Sequence, residues 1–483
     1  MTARPDGASG PRSAAAITRV APAGWRPACL RAHADGARFA GLFGAPRGGR
    51  AVELRAVFST PAGERVIACE TPERAVESVV DVLPAAAWDE REAHDLHGVR
   101  FVGHEPLRPL LDHDAALERW TVPVAGRDAH QVAVGPVHAG VIESGHFRFH
   151  VVGELILSLD LRLFYKRRGL EAAATGRPAE DAIAYAQRAC AACAVTSSVA
   201  CAQACEAALG LAPDDELRRA RTVLLELERV YNHLHDISAI CAGVGFAPGA
   251  AAYAALKERV QRLNLRLAGH RFLFGSVRLG GSDLAPAAAD VADARAQLRT
   301  TGDEHAALWR QLHFSRSLQE RLDAVGVLGR DDAERLGAVG PAARAAGLRR
   351  DVRSESTRLC YGGFAPVTPA VPAGDVASRM TQRAIELEQS LAVLDELLAD
   401  PPAPGRTRAI GPTAAVAVGR VESPRGATTC LVELDGRRLR ALHLRTGSYA
   451  NWPSLVHAVP GSLLADFPLI NKSFELCYAC VDR

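Results

Sequence analysis

Several features that would assign a chain to a class at once are missing from this sequence. Its 57 lysine and arginine residues nearly balance 55 aspartate and glutamate residues, which leaves a net charge of +2. Such a weak charge gives no support to nucleic-acid binding, and none is expected. No uncharged run of about 18 apolar residues predicts a membrane-spanning helix, and no apolar segment typical of a secretory signal follows the first residues.

The cysteine pattern of a secreted scaffold is also missing. The eleven cysteines are odd in number and scattered over 483 residues, which is unlike a disulfide framework and favours a reducing cytoplasm. A hydrophobic content of 48% with 23% charged residues is typical of a soluble globular protein. The length suffices for two or three domains, and no internal repeat with a period of about 20 to 50 residues is evident.

The first part of the chain predicts a small α+β domain over residues 21–122, after a disordered N-terminus at residues 1–20. Short β-prone runs alternate with turns in residues 51–82, and apolar spacing predicts a helix over residues 73–83. Residues 88–104 are rich in charge and histidine, so we expect them to be too polar for a core.

The rest of the chain, residues 130–483, predicts a second and mainly α-helical domain. Alternating apolar and polar residues predict a β-hairpin over residues 147–154. Apolar residues recur at helical spacing in three long segments, residues 217–241, 253–274 and 374–398. Strands are predicted at residues 415–419 and 429–434. The fold class is therefore α+β, with a long helix bundle that has small β elements at both ends.

Two Cys-x-x-Cys pairs, Cys190/Cys193 and Cys477/Cys480, carry the strongest chemical signal. Each pair offers two sulfurs on one side of a turn, so together they can close a site for a soft metal. Spacing alone leaves three interpretations open: buried inert thiols, a structural zinc site, or a redox-active metal centre. Because chain ends normally fray, the final segment is expected to be pinned inside the protein.

The residues around both pairs resemble the metal motifs of the large subunit of nickel–iron hydrogenases. Arg188-Ala-Cys190-Ala-Ala-Cys193 is similar to the motif Arg-x-Cys-Gly-x-Cys, and Leu476-Cys477-Tyr-Ala-Cys480 to the second motif. Other segments resemble one branch, the membrane-associated hydrogenases of the formate hydrogenlyase and hydrogenase-4 type, which are related to complex I. These segments are Gly135-Pro-Val-His138, Glu143-Ser-Gly-His-Phe-Arg-Phe149, Phe164-Tyr-Lys-Arg-Arg-Gly-Leu-Glu171 and Pro424-Arg425-Gly426. Residues 90–108 resemble the thirty-kilodalton subunit of complex I.

The resemblance implies a nickel–iron centre held by four thiolates, from Cys190, Cys193, Cys477 and Cys480. It implies that Cys193 and Cys480 also bind an iron that carries cyanide and carbonyl. Soft sulfur ligands suit the low-potential nickel states of such a centre.

The resemblance also implies roles for residues around the metals. A terminal thiolate, with Cys477 as the candidate, accepts a proton, and Glu143 relays it outward. Arg425 and Pro424 contact the cyanide ligands, to which a planar guanidinium is suited. Each residue has a simpler interpretation: Glu143 as a solvated hairpin acid, and Arg425 as a turn arginine paired with a nearby acid.

One predicted helix has a polar face, for which exposure to solvent is the usual explanation. The residues of this face are Glu226, Glu228, Asn232, His233 and Asp236. In the resembled family the helix packs in the bundle, and no direct catalytic role is expected for these residues. His138, where complex I relatives have a quinone-headgroup histidine, is expected to have a structural role.

The sequence departs from the family motifs at four positions. Ala191 replaces the glycine after the first cysteine, and Gln187 replaces the acid before Arg188. Ser197 stands in place of a histidine four residues after Cys193, and Leu476 in place of a proline. The loss of the histidine is expected to lower activity or tune the site.

The resemblance implies partners as well. No further cysteine set has iron–sulfur spacing, since Cys201 and Cys205 lie on a predicted helix without partners, so no iron–sulfur cluster is expected in this chain. Electrons would leave through a small iron–sulfur subunit docked near Cys190, His138 and Glu143. That subunit would sit on membrane-arm subunits, which places the chain peripherally on the cytoplasmic side of the inner membrane.

The resemblance implies the catalytic subunit of a multisubunit nickel–iron hydrogenase, which reduces protons and oxidises hydrogen reversibly. Two other functions remain open from sequence. One is a quinone- or NADH-linked complex I component whose cysteines are relics, and the other is a structural zinc protein that only assembles a larger complex. Metal content distinguishes all three, because they would hold nickel with iron, no metal, or zinc alone.

Overall fold

The computed structural model describes residues 15–138, 143–284, 286–400, 402, 403 and 405–483. Residues 1–14, on which most of the predicted N-terminal disorder falls, lie outside the described residues. The N-terminal part contains six strands and three helices, in chain order β1 (Ala16–Val20), α1 (Pro22–Ala34), β2 (Arg38–Pro46), β3 (Val52–Thr60), β4 (Gly63–Thr71), β5 (Ala75–Glu77), α2 (Ala87–His97), β6 (Arg100–Val102) and α3 (Leu117–Trp120). The predicted disorder therefore does not reach residue 20.

Strands β1 to β4 form one sheet in the order β1-β4-β3-β2, in which β1 pairs with β4 in parallel. Its β3 strand is buried along nearly its whole length, because both faces of the sheet are covered. Helix α1 packs Trp25 against one face, where Leu54 and Phe58 of β3 are also fully buried. A second sheet, formed late in the chain, covers the other face.

Two sequence predictions for this domain are wrong. Residues 73–83 do not form a helix, because Ala75–Glu77 pairs in parallel with Arg100–Val102, and this long-range pairing overrides the local apolar pattern. The polar stretch after residue 88 is largely helix α2, and its Asp89 and Glu90 are buried. Burial is tolerated because both acids are paired: Asp89 with Arg445 at 2.9 Å, and Glu90 with His104 at 2.8 Å.

The second part begins with a three-stranded sheet and continues into helices with short strands between them. Its first elements are β7 (His130–Val134), β8 (His146–Val152), β9 (Leu155–Arg162), α4 (Leu170–Ala174), α5 (Ala182–Gln187), α6 (Ala194–Ala208), β10 (Leu211–Pro213), α7 (Asp215–Gly243), α8 (Ala247–Ala268), β11 (Val277–Arg278), β12 (Gly281–Ser282), α9 (Ala288–His313), α10 (Arg316–Leu322), α11 (Arg330–Arg335), α12 (Gly340–Ala345), α13 (Val352–Glu355) and α14 (Val376–Leu397). Strands β8 and β9 form the predicted hairpin.

The three long helices α7, α8 and α14 confirm the predicted helical segments, and α7 packs against both of the others. Their starts follow from local chemistry. The Asp214 carboxylate accepts a hydrogen bond from Leu217 N at 2.9 Å, and that of Asp375 accepts one from Ser378 N at 2.8 Å. These side chains cap otherwise unpaired N–H groups at the starts of α7 and α14.

The short strand β13 (Thr407–Ala409) pairs with β10. The chain then ends in a three-stranded sheet and two helices: β14 (Val416–Ser423), β15 (Gly426–Asp435), β16 (Arg438–Arg445), α15 (Gly447–Ala458) and α16 (Phe467–Phe474). Strands β14 and β15 confirm the two predicted strands and form an antiparallel sheet with β16. Val416, Val418 and Leu431 pack against Val57 and Val66 of the N-terminal sheet. The fold class is α+β, as predicted, and among the helices that the structure describes none is long and apolar enough to cross a bilayer.

Candidate metal centre

The two cysteine pairs meet at one buried site. The Sγ atoms of Cys190 and Cys477, which are 287 residues apart in sequence, lie 2.9 Å from each other. The sulfurs of Cys190, Cys477 and Cys480 all lie within 4.8 Å of one another, and Cys193 belongs to the same cluster. Cys190, Cys193 and Cys480 are buried, whereas Cys477 is only partly so.

Each pair is presented by a turn at the end of an element. Cys190 is extended, Ala191–Cys193 form a single 3₁₀ turn, and α6 begins directly after it. The second pair follows α16, which ends at Glu475 in the left-handed conformation with φ 50°. Cys477 N then donates to Ser448 Oγ at 3.0 Å. Both pairs are therefore anchored through their backbones.

The close packing of the four thiols perturbs their ionisation. Hydrogen bonds from Cys193, Cys477 and Cys480 hold the pKa of Cys190 well below its usual value. The same shared protons raise the pKa of Cys193 and Cys477, because each donates to Cys190. A donor set made entirely of convergent sulfur, readily deprotonated by a cation, fits a soft transition metal. The residues present thus fit a thiolate-bound nickel–iron group.

Helix α7 holds the first cysteine pair in place. Its polar face is buried, as packing in the bundle implies, and the usual explanation of exposure to solvent does not apply. The residues of this face, Glu226, Glu228, Asn232, His233 and Asp236, are at most 1% exposed. Asn232 Nδ2 donates to the Ala192 carbonyl at 2.8 Å, and the Tyr231 hydroxyl donates to the Ala191 carbonyl at 3.2 Å.

Glu228 secures the start of α6, just beyond Cys193. Its carboxylate accepts hydrogen bonds from Val195 N at 2.7 Å and Thr196 N at 3.1 Å. These are N–H groups that a helix start leaves without intrahelical partners. Burial raises the pKa of Glu228 to about 8. The polar face of α7 thus positions the metal loop.

Arg425 occupies the turn between β14 and β15 together with Pro424. Its guanidinium donates to Asp236 at 2.7 and 2.9 Å, and Asn451 Nδ2 donates to its carbonyl at 3.0 Å. Gly426 adopts φ 120°, and a Cβ there would lie 2.5 Å from Val339 Cγ2, so the motif requires glycine. The pairing of Arg425 with an acid agrees with the simpler interpretation and leaves its Nε free of partners among the described residues.

Glu143 lies near Asp482, two residues after the second cysteine pair. One of its carboxylate oxygens is buried and has no hydrogen-bond partner among the described residues, and its charge helps to raise the pKa of Asp482, after burial as the main cause. A Cβ on Gly145 would lie 2.6 Å from Tyr478 Cε1, which shows how closely the two segments pack. His138 Nε2 lies 2.7 Å from the Gly145 carbonyl, a structural contact. Residues 139–142 lie outside the described residues.

Three of the four departures from the family motifs, at residues 187, 191 and 476, are paired or packed in the core. Gln187 Oε1 accepts a hydrogen bond from Gly275 N at 3.0 Å. The Ala191 carbonyl accepts a hydrogen bond from the Tyr231 hydroxyl. Leu476 is buried in the main core. Ser197 is fully buried, and its hydroxyl has no partner among the described residues.

A second thiol cluster was not apparent from sequence. Cys201 of α6, expected to have no partner beyond Cys205, also lies beside Cys430 of β15. All three are fully buried and free of disulfides, and burial raises the pKa of Cys430. The spacing could not reveal this contact, because Cys430 comes from a strand much later in the chain.

Family models match nearly the whole chain. The 30 Kd subunit of respiratory-chain NADH dehydrogenase matches residues 19–124, and its 49 Kd subunit matches residues 244–416 and 406–483. Nickel-dependent hydrogenase matches residues 168–239, which include the first cysteine pair. This last match supports a nickel–iron centre.

Individual proteins lead to the same family. Hydrogenase-4 component G of Escherichia coli K12 is 30% identical over 438 residues, 85% of this chain and 76% of the relative. Formate hydrogenlyase subunit 5 of the same organism is 29% identical over 84% of this chain and 76% of its own length. A chain of the membrane-bound sulfane sulfur reductase, an archaeal respiratory membrane complex, superposes with a TM-score of 0.68 at 25% identity, over 75% of this chain and 100% of its own. The chain belongs to the complex-I-related nickel-dependent hydrogenases, as a large subunit fused to an N-terminal domain of the 30 Kd subunit type.

Proposed function

We propose that the chain is the catalytic subunit of a multisubunit nickel–iron hydrogenase that reduces protons and oxidises hydrogen reversibly. The observation that carries the proposal is the convergence of four thiols, from two pairs 287 residues apart, in one buried cluster. Cys190, Cys193, Cys477 and Cys480 would bind the nickel. Cys193 and Cys480 would also bind an iron that carries cyanide and carbonyl.

When bound, the nickel–iron group would supply the redox chemistry of hydrogen. The side chains around it would accept and relay the protons. Cys477 is the least buried residue of the four, which suits its thiolate to accept a proton and pass it on. Glu143 has an oxygen without a hydrogen-bond partner among the described residues and lies close enough to Asp482 to raise the pKa of that residue, after burial as the main cause. We assign it the next position in the proton route.

Arg425 and Pro424 would contact the cyanide ligands of the proposed group. Asp236 fixes the guanidinium through two hydrogen bonds and balances its charge. The Arg425 pKa is raised, chiefly because Asp236 and other nearby negative groups outweigh its burial. A fixed cation with a free N–H suits polar, anion-like ligands such as cyanide in a site closed to water.

Electrons need an exit, for which we propose a small iron–sulfur subunit docked near Cys190, His138 and Glu143. The names of the relatives describe components of multisubunit complexes, and the superposed structure is of a membrane complex. By analogy, this chain would sit peripherally on membrane-arm subunits, on the cytoplasmic side of the inner membrane.

Two observations favour other candidates. The match to the 49 Kd subunit of NADH dehydrogenase suits a complex I-type subunit with relic cysteines, and a four-thiol cluster also suits structural zinc. The deciding experiment purifies the complex from its host and measures nickel, iron and zinc per chain, with hydrogen-isotope exchange. The proposal expects nickel, iron and exchange; zinc alone, or no metal, would support one of the alternatives.

A matched pair of variants makes the assignment specific. Cys193→Ser should abolish nickel binding and isotope exchange, because it removes one of the four sulfurs. Cys360→Ser, which changes a partly exposed thiol outside the cluster, should retain both. Equal metal content in the two variants would show that the four-thiol site does not bind the metal.

A further inference from the structure

Arg483 lies inside the protein rather than in solvent. Its side chain is only 5% exposed, and its Nη2 donates to both oxygens of Glu92 at 2.8 and 3.0 Å. Its Nε donates to Glu171 at 2.6 Å, and the guanidinium lies over the Tyr449 ring at 4.9 Å from the centroid. These contacts hold the final segment inside the protein, as expected from sequence.

The two acids come from different parts of the chain. Glu92 belongs to α2, within the residues that match the 30 Kd subunit, and Glu171 belongs to α4, within the nickel-dependent hydrogenase match. Arg483 follows shortly after Cys480. A single guanidinium therefore connects the N-terminal domain to the segment that carries the second cysteine pair.

A second arginine joins the two cysteine segments directly. Arg168 Nη2 donates to the carbonyls of Ala189 and Ala479, each at 2.6 Å. Its Nη1 donates to the Arg188 carbonyl at 2.7 Å, and its Nε donates to the Asp482 carbonyl at 3.2 Å. Ala189 and Ala479 immediately precede Cys190 and Cys480, so one planar fork bridges the backbones of both pairs.

We propose that Arg168 and Arg483 form a clamp that positions Cys477–Cys480 against Cys190–Cys193, and that the N-terminal domain contributes to it through Glu92. The clamp makes these residues positioning residues, since they act on the metal site through the backbone of the cysteine segments. It also gives the fused N-terminal domain a role in holding the metal centre.

The burial and charge of these contacts indicate that they stabilise the position of the cysteine segments. Glu92 and Glu171 face Arg483 with side chains that are only 14% and 20% exposed, against 5% for Arg483, and breaking a largely buried ion pair leaves an uncompensated charge. The Arg483 guanidinium lowers the pKa of Glu171 to about 2, against the opposing effect of burial. The carbonyls held by Arg168 have no competing helical partners, because they lie in turns.

The first test uses hydrogen–deuterium exchange on the metal-free full-length protein, so that its result does not depend on the proposed function. Glu92→Gln and Arg168→Lys should each speed exchange in the segment 475–483 about tenfold, because local opening becomes easier. Glu92→Asp, which keeps the carboxylate, should restore much of the protection. Asp81→Asn, an exposed acid of the same domain paired with Arg26, is the control and should change nothing.

The second test rests on the proposed function and follows nickel retention in the purified complex during dialysis against a chelator. Glu92→Gln and Arg168→Lys should lose nickel several-fold faster than the wild type and Asp81→Asn. Their thermal unfolding midpoints should stay within about 3 °C of that of the control.

The outcomes separate the two ideas. Unchanged exchange in the segment 475–483 would overturn the clamp, whatever the metal content. A fall in the unfolding midpoint that matches the faster exchange would also overturn it, since the residues would then only stabilise the fold. Faster segment exchange in a chain that never contains nickel would support the clamp and contradict the proposed function.

Discussion

The guanidinium of Arg425 makes two hydrogen bonds to the carboxylate of Asp236, 189 residues earlier in the chain, at 2.7 and 2.9 Å. The same carboxylate accepts a hydrogen bond from Arg383 Nε at 2.9 Å. Asp236 thus connects helix α7, helix α14 and the turn that carries Arg425. The orientation of this arginine beside the thiol cluster is consequently fixed by the helix bundle.

We expect Arg425→Lys to fold and to bind metal but to lower hydrogen turnover about a hundredfold. A lysine keeps the charge yet cannot make the forked contact to Asp236, and small misplacements in an active site have effects of this size. Turnover per nickel is the measurement. Arg437→Lys, in an exposed pair with Glu180, is the control; equal turnover in both variants would remove Arg425 from the mechanism.

Glu143→Gln should leave the nickel and iron content intact and lower hydrogen turnover by about a hundredfold or more. The substitution keeps the shape of the side chain and removes its titratable group, so it tests proton relay rather than folding. Glu154→Gln changes an exposed acid of the neighbouring hairpin and should behave as the wild type. Full activity of Glu143→Gln would transfer the relay to another acid or to water.

Asn232→Asp should reduce the nickel content per folded chain. The aspartate cannot donate to the Ala192 carbonyl, which now receives a hydrogen bond at 2.8 Å, and an unpaired buried polar group costs about 1–3 kcal/mol. His235→Gln changes a half-exposed residue of the same helix and should keep its nickel. Equal nickel content in the two variants would show that α7 does not position the metal loop.

Stability should fall in acid through His305, a fully buried residue of α9. Burial lowers the pKa of His305 to about 4, whereas an unfolded histidine titrates near about 6.5. The unfolded state therefore binds the proton first, and stability declines as the pH falls from about 6.5 to about 4. Tyr253 and Glu388, at 3.0 and 3.9 Å, face the ring.

Between pH 7 and pH 5 this group should cost about 2 kcal/mol of unfolding free energy. His305→Gln should remove that part of the pH dependence, while His313→Gln, an exposed position on the same helix, should retain it. Denaturant unfolding at the two pH values is the measurement. An identical pH dependence in both variants would mean that folding does not lower the pKa of His305.

The long helices and the late strands could be predicted because their apolar spacing is local information. Helices α7, α8 and α14 and strands β14 and β15 all lie where the periodicity places them. The helix predicted over residues 73–83 failed because strand β5 is stabilised by pairing with β6, which lies beyond the intervening helix α2. A local pattern cannot report such a partner.

The cysteines of the site were apparent from their motifs, but the supporting residues were not. Polar spacing on α7 has the same appearance whether Asp236 faces water or an arginine 189 residues later. Arg168 and Glu92 gave no signal of their role, because their partners are backbone carbonyls and a distant arginine. Contacts between residues so far apart in sequence can be identified only in the folded structure.

Infrared spectroscopy of the purified native complex tests the central claim most directly. Cyanide and carbonyl on a protein-bound iron absorb where polypeptides do not, so their bands report the proposed nickel–iron group itself. We expect cyanide and carbonyl bands that disappear in Cys193→Ser and persist in Cys360→Ser. A native complex that contains this chain, fully assembled, and shows no such bands would contradict the assignment as a nickel–iron hydrogenase.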